Sequence, residues 1–318
     1  MNKADQDQLL SNSIGDTPLV PLSWPNMRDP VWAKLEYLNL TGSLKDRSAI
    51  FLLDGAEKSG ELLPASVIVD ASSGNFGISL GVIGKLKGHQ VHICVDRKIS
   101  VEKLATLKAL GVAIEVCNNA RVLTDEDSYH TSAIQLRDKL NSNGYKVYMP
   151  NQFFNPKAAD AYFETLGPEL WRQSNGQLTH VFCAVGTGAT VTGTGRYLKS
   201  KNPAIKVIAV DSNNSYYSTK GKPRPYEAAG FGIDYDSPIL KNDVIDEFIS
   251  VSDEEAFTGM KAMSKYGLLV GCSCGAIASA IRAYFDVTVP RNAFPVMVFG
   301  DSGRSYLSCV QPQNHQAN

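Results

Sequence analysis

Residues 66–86, Ser66-Val67-Ile68-Val69-Asp70-Ala71-Ser72-Ser73-Gly74-Asn75-Phe76-Gly77-Ile78-Ser79-Leu80-Gly81-Val82-Ile83-Gly84-Lys85-Leu86, decide the fold class. A short apolar run rich in β-branched residues, 66–70, breaks at a loop of small and polar residues, and a helical pattern follows over 74–86. The same order recurs on both sides. Strands are predicted over 90–95, 112–116, 180–185, 205–210, 248–251 and 295–299, and helices over 101–110, about 124–140, 189–200 and 276–285. Ser252 and Glu255 stand at capping-box spacing before a further helix. Alternation of this kind belongs to parallel sheets wrapped by helices. It predicts an α/β protein with two open, twisted, mostly parallel sheets and helices on both faces, divided near Met149-Pro150-Asn151.

The composition fits that reading. The chain has 318 residues, 43% hydrophobic and 20% charged, enough to divide a core between two domains. A formal net charge of −1 leaves no electrostatic footprint for nucleic acid, and no apolar run is long enough to cross a bilayer. The first eight residues are polar and lack a secretory apolar segment, so the expected location is cytoplasmic. Cys94, Cys117, Cys183, Cys272, Cys274 and Cys309 form no Cys-x-x-Cys pair and have no partnered histidines, so no metal site is expected. Residues 212–236 read as a long loop, functional or mobile, and 311–318 as a frayed tail.

Chemistry concentrates at four places. The first is Lys45 within Lys34-Leu35-Glu36-Tyr37-Leu38-Asn39-Leu40-Thr41-Gly42-Ser43-Leu44-Lys45-Asp46-Arg47. Ser43 and Asp46 have capping-box spacing, which predicts a helix starting at Ser43 with Lys45 in its first turn. A lysine attacks a carbonyl only when burial or nearby positive charge favours its neutral form, and Arg47 and the helix end are candidate sources. For Lys-Asp-Arg in isolation the plainer reading is a solvated lysine.

The second place is Gly186-Thr187-Gly188-Ala189-Thr190, between a strand and a helix, where glycines, hydroxyls and a helix N-terminus can converge on a phosphate. A dinucleotide fingerprint fails there, since Val191 stands where its third glycine belongs. The third, Ser72-Ser73-Gly74-Asn75-Phe76-Gly77, offers hydroxyl and amide donors to a carboxylate, or an ordinary helix cap. The fourth, Gly271-Cys272-Ser273-Cys274-Gly275, sets one hydroxyl between two thiols; tight packing of small residues and redox sensitivity are both open readings.

Taken in order, Lys34 to Arg47, Ser72 to Gly77, Asn151-Gln152, Gly186 to Thr190, Gly230-Phe231-Gly232-Ile233, Gly271 to Gly275 and Asp301-Ser302-Gly303-Arg304-Ser305-Tyr306-Leu307 resemble the cysteine synthase and cystathionine β-synthase group of pyridoxal phosphate enzymes, over about residues 13–309. The resemblance implies a tryptophan synthase β-like fold, with a smaller mobile domain over 40–150 that binds the substrate carboxylate. A larger domain, 1–39 and 151–318, would hold the cofactor phosphate. It implies pyridoxal 5'-phosphate as cofactor, Lys45 as its Schiff-base and catalytic lysine, and Gly186, Thr187, Gly188, Ala189 and Thr190 as the phosphate cup. Asn75 would bond the cofactor's 3'-oxygen and Ser273 would face the pyridine nitrogen. Ser72, Ser73, Gly74, Phe76, Gln152 and Gly230 would line the amino-acid site. The implied reaction is β-replacement on an activated L-serine, O-acetylserine or O-phosphoserine, through an aminoacrylate intermediate and with a sulfur nucleophile. A homodimer acting on small amino acids is implied as well.

Two departures bear on the substrate. Sulfide-using members usually carry threonine where this chain has Phe76, and an apolar residue there is similar to the diaminopropionate-forming branch, which takes O-phosphoserine and an amine such as glutamate. Arg224, in Lys220-Gly221-Lys222-Pro223-Arg224-Pro225, is a candidate cation for a phosphorylated leaving group, against the plainer reading of a solvated loop. Outside the class, a nicotinamide-dependent oxidoreductase would share the α/β rhythm, and a non-catalytic binding module would share the fold.

Overall fold

The computed structural model describes residues 9, 12–23, 30–117, 123–285, 290 and 292–310. The polar N-terminal octet and the 311–318 tail read from the sequence lie outside them, as does the side chain of Cys309. The chain runs β1 (Leu19–Leu22), β2 (Val31–Leu35), α1 (Lys45–Ser59), β3 (Val67–Ala71), α2 (Asn75–Leu86), β4 (Gln90–Asp96), α3 (Val101–Ala109), β5 (Ala113–Cys117), α4 (Tyr129–Ser142) and β6 (Val147–Tyr148). It continues with α5 (Lys157–Glu164), α6 (Leu166–Gln173), β7 (His180–Ala184), α7 (Ala189–Lys201), β8 (Lys206–Ser212), β9 (Glu247–Val251), α8 (Asp253–Ser264), α9 (Cys272–Phe285) and β10 (Pro295–Phe299).

Two sheets result. One has four parallel strands in the order β5-β4-β3-β6, and the other has six in the order β1-β2-β10-β7-β8-β9. Only β1 runs antiparallel to its neighbour, with Val20 opposite Ala33. Every residue of β3 and of β10 is buried, as expected of central strands covered on both faces. Because β2, β10 and β7 run parallel, the segments leaving Leu35, Phe299 and Ala184 emerge on one edge of the large sheet. Crevices at the carboxyl ends of such strands are where α/β proteins bind ligands.

One apolar cluster joins the faces of both sheets, running from Leu53, Ile68, Phe76 and Ile93 to Tyr162, Leu166, Val181 and Val298. Each large aliphatic side chain buried in it contributes about 1.5–3 kcal/mol. The predicted capping box forms: the Ser252 hydroxyl accepts from the Glu255 amide while Glu255 accepts from the Ser252 amide. Helix α4 begins later than expected, capped by Ser128, and α9 begins earlier, at Cys272. Among the described residues, 213–241 carry no helix or strand, in keeping with the long loop.

Candidate active site

Three contacts fix the approach to Lys45. Gly42 turns the chain at φ +89°, Ser43 pairs with Asp301 in an isolated antiparallel bridge, and the Leu44 amide donates to the Gly300 carbonyl at 2.8 Å. Helix α1 then starts at Lys45, not at Ser43; Leu44, the residue before it, supplies no side-chain cap, and the Ser43 hydroxyl accepts from the Lys45 amide at 3.2 Å. The predicted capping box is absent because Asp46 is engaged elsewhere: its carboxylate accepts from the Thr41 amide at 2.7 Å, from the Ser79 hydroxyl at 2.5 Å and from the Thr41 hydroxyl. Desolvation by the surrounding protein lowers the Lys45 amine to about 8, and the negative charge of Asp301 limits the fall. Arg47 is not the cause. Its guanidinium points the other way, donating to Glu36 at 2.6 and 2.8 Å and to Glu169 at 2.7 and 2.8 Å.

The 186–190 turn is linked to the start of α1. Tyr162 of α5 bridges them: its hydroxyl donates weakly to the Leu44 carbonyl at 3.4 Å, stands 3.4 Å from Ser48 Oγ and is hydrogen-bonded to the Thr190 side chain. Gly188, at φ +86°, is the residue before α7, and a Cβ there would lie 2.7 Å from Leu240 Cβ and 2.9 Å from its Cα, so the turn admits only glycine. A Cβ on Gly186 would meet nothing nearer than the Gly230 carbonyl at 3.9 Å. Among the described residues, none accepts a hydrogen bond from the amides of Gly186, Thr187 or Gly188. These donors, with Thr187, Thr190 and the first turn of α7, form a cradle suited to an anion.

Gly230, Ser273 and Asn75 gather around Asp301 and Tyr306. A Cβ on Gly230 would lie 3.5 Å from Ser273 Oγ and 3.6 Å from the Tyr306 hydroxyl, which places all three together. Asn75, first residue of α2, donates from Nδ2 to Asp301 at 2.7 Å, and the Tyr306 hydroxyl also donates to Asp301. Lys103 of α3 donates to the Tyr306 hydroxyl at 2.8 Å, with its Nζ 4.1 Å from the ring centroid. Asp301, Tyr306, Lys103 and Tyr162 were assigned no role from the sequence. Asp301 and Tyr306 lay inside a quoted motif, whereas Lys103 and Tyr162 carried no local signal.

The substrate loop is more constrained than its sequence suggested. The Ser72 hydroxyl accepts from the amides of Gly77 at 2.9 Å and Gly74 at 3.3 Å, so it shapes the start of α2. The Ser73 hydroxyl accepts from the Asp96 amide. The amides of Asn75 and Phe76, in the first turn of α2, are left to face a ligand. The Phe76 ring is 2% exposed and packs in the apolar core. Gln152 is buried and donates one amide hydrogen to the Ala71 carbonyl at 2.9 Å, keeping the other. Arg224 sits on an exposed segment held by its backbone amide to the Asn214 carbonyl at 2.8 Å, and among the described residues its side chain makes no contact with the groups around Lys45.

Cys272 and Cys274 are 1% and 0% exposed, and burial pushes the Cys274 thiol up to about 12, which removes the thiolate needed for redox chemistry. Small-residue packing is the reading realised there: a Cβ on Gly275 would strike the Ala256 carbonyl at 2.2 Å where α9 crosses α8. Among the described residues no group of three His, Cys, Asp or Glu is placed to hold a metal ion, and no helix is long and apolar enough to cross a membrane. A buried amine near neutrality, an anion cradle beside it, a neutral hydroxyl at Ser273 and an amide donor at Asn75 together fit a phosphorylated pyridine aldehyde.

Comparison with known proteins gives the family. The family model described as "Pyridoxal-phosphate dependent enzyme" matches residues 10–291. The chain is 33% identical over 306 residues to a cysteine synthase of Helicobacter pylori, covering 94% of this chain and 96% of the relative. It is 34% identical over 305 residues to the O-acetylserine dependent cystathionine beta-synthase of Bacillus subtilis, covering 94% and 95%. The crystal structure of an O-acetylserine dependent cystathionine beta-synthase from Helicobacter pylori superposes with a TM-score of 0.82 at 32% identity, covering 94% of this chain and 96% of that one.

Proposed function

This chain belongs to the pyridoxal-phosphate-dependent enzyme family, and from that premise we propose that it performs β-replacement on an activated L-serine, with O-acetylserine as donor and a sulfur nucleophile. The observation that carries the reading is the Lys45 amine, lowered to about 8 by desolvation and facing the charge of Asp301, the carboxylate that also accepts from Asn75. When bound, pyridoxal phosphate supplies an electron sink for the carbanion at the substrate Cα.

The chain's own residues do the rest. Lys45 would hold the cofactor, and its amine would serve as the base for the substrate Cα proton; an amine near 8 is neutral often enough to take that proton and basic enough to return it. Gly186, Thr187, Gly188, Ala189 and Thr190 would hold the phosphate, and Asn75 would donate to the 3'-oxygen. Ser273, being neutral, does not hold a proton on the ring nitrogen as a carboxylate would. That weakens the sink and favours loss of the β-substituent over transamination. The free amides of Asn75 and Phe76 and the spare hydrogen of Gln152 bind the substrate carboxylate, aided by the dipole of α2. Closure of the 40–150 unit over this carboxylate excludes water from the reacting carbon.

A second reading is favoured by Phe76. Its ring fills core space where a threonine would present a hydroxyl, so one carboxylate donor is missing, as in synthases that use O-phosphoserine and an amine such as glutamate. One experiment addresses both. Purified protein should be yellow, and borohydride or Lys45→Ala should abolish the colour. O-acetylserine and O-phosphoserine are then offered in turn, followed by sulfide, homocysteine and glutamate. Turnover of O-acetylserine with a thiol supports the first reading, turnover of O-phosphoserine with glutamate the second, and inertness toward every serine ester defeats β-replacement.

A further inference from the structure

Asp301 sits at the centre of a buried chain of hydrogen bonds whose direction is fixed by chemistry. The Lys103 ammonium has donors only, so the Tyr306 hydroxyl accepts from it at 2.8 Å and must spend its own hydrogen on Asp301. The Asp301 carboxylate accepts only, so Asn75 must turn its NH2 group, not its carbonyl oxygen, toward it at 2.7 Å. The orientation of the Asn75 amide is therefore set by Asp301, and its second N–H is free to point at the cofactor's 3'-oxygen. Lys103, Tyr306 and Asp301 are 4%, 1% and 3% exposed, so water does not dilute these contacts.

The chain also spans two parts of the molecule. Lys103 lies on α3, which covers the four-stranded sheet, and two neighbouring bonds hold the same helix on the 305–308 segment: the Ser100 hydroxyl donates to the Ser305 carbonyl at 3.1 Å, and the Ser308 amide donates to Glu102 at 2.8 Å. We propose that Asp301 is a positioning residue for the cofactor and for Lys45, held by a Lys103–Tyr306 strut that ties its placement to the docking of α3. The inference rests on the assignment of Lys45 as the cofactor lysine. Asp301 orients the Asn75 donor and supplies the counter-charge of Lys45. Of the other charged groups nearby, Asp46 is spent on Thr41 and Ser79, and Arg47 on Glu36 and Glu169. The Cys274 thiol donates to the Asp301 carbonyl at 3.5 Å and lies 3.9 Å from its Oδ1, Cys272 lies near Tyr306, and Tyr37 lies near Cys274.

The test uses the full chain stripped of cofactor with hydroxylamine and reloaded with pyridoxal 5'-phosphate from about pH 6 to about pH 10, following visible absorbance. In Asp301→Asn the pH midpoint of uptake should fall by about half a unit or more, because Lys45 loses its anion, and the cofactor should be held about tenfold more weakly. Lys103→Met and Tyr306→Phe should move the midpoint the opposite way, since each strips Asp301 of a partner that shares its charge. Loosened packing alone would move all three in one direction. An unchanged midpoint in Asp301→Asn, or shifts of one sign throughout, overturns the proposal. If Asp301→Asn does not fold, the other two variants decide: a midpoint that stays or falls in either refutes it. Uptake by wild type that Lys45→Ala leaves intact would instead refute the assignment of Lys45 itself.

Discussion

Replacing Arg47 with methionine should cost the fold about 3–5 kcal/mol without touching any group that faces the cofactor. Arg47 is 1% exposed and makes four hydrogen bonds, two to Glu36 and two to Glu169, while Lys34 adds a further bond to Glu169 at 2.7 Å. Methionine fills most of the volume but leaves two carboxylates, 0% and 12% exposed, without their main counter-charge. A second route gives a similar size. Burial pushes the Glu169 carboxyl up, yet Arg47 and Lys34 outweigh it and hold it at about 2 instead of its ordinary 4.5, which corresponds to about 3 kcal/mol. The sign follows from the depressed value. This contribution is fully present above about pH 4.5 and fades as the pH falls toward about 2. Urea unfolding of wild type and Arg47→Met at about pH 7 should therefore show the full deficit, and at about pH 3 a smaller one. A loss below about 1 kcal/mol at neutral pH would refute the claim that this cluster pins the start of α1 against β2 and α6.

Two further outcomes are expected. Gly188→Ala combines a left-handed backbone, costing about 1–2 kcal/mol, with a Cβ 2.7 Å from Leu240 Cβ, so pyridoxal 5'-phosphate affinity measured by absorbance titration should drop at least about tenfold; unchanged affinity would remove the 186–190 turn from the cradle. Asp70, 0% exposed, has its carboxyl pushed by burial to about 7 despite hydrogen bonds from the Ala71 and Gln152 amides. A raised value means the folded protein holds the proton more tightly, so stability falls as pH rises from about 3.8 to about 7, by an amount on the order of 4 kcal/mol. Asp70→Asn should escape that decline, and melting curves that keep the same gap between the two proteins at about pH 5 and about pH 8 would contradict it.

What the sequence disclosed follows the range over which each signal acts. The β-α alternation was legible because strands such as β10 are buried at every position and so appear as unbroken apolar runs, while the run of β3 is broken only by the buried Asp70. The 186–190 cradle was legible because a left-handed residue against Leu240 demands glycine. The capping box at Ser43 misled because Asp46 is claimed by Ser79, 33 residues on, a partner that no local spacing reveals. Arg47 misled for a geometric reason: residues two apart on a helix face different ways, and its second partner, Glu169, lies 122 residues away. Strand β1 escaped notice because Leu-Val-Pro-Leu is short, carries a proline and pairs only at an edge. Helices α5 and α6 were hidden by Gly167-Pro168, although that proline falls in the first turn of α6, where it is tolerated.

The cause of the Lys45 amine's value, and not the value alone, is where structure corrected sequence most usefully. Positive charge from Arg47 would have been a local device, retuned by any change at one neighbouring residue. Desolvation is instead a property of the assembled site, because it requires the Gly300 segment, α1 and the Asp301 bridge to close around one amine. A lysine depressed by burial alone would hold protons poorly, and a proton taken from the substrate must later be given back. Asp301 opposes the desolvation, and the Asn75 and Tyr306 donors determine how much of its charge Lys45 senses. Since Tyr306 is itself bonded to Lys103 of α3, the charge that Lys45 senses is connected to the packing of a helix on the four-stranded sheet.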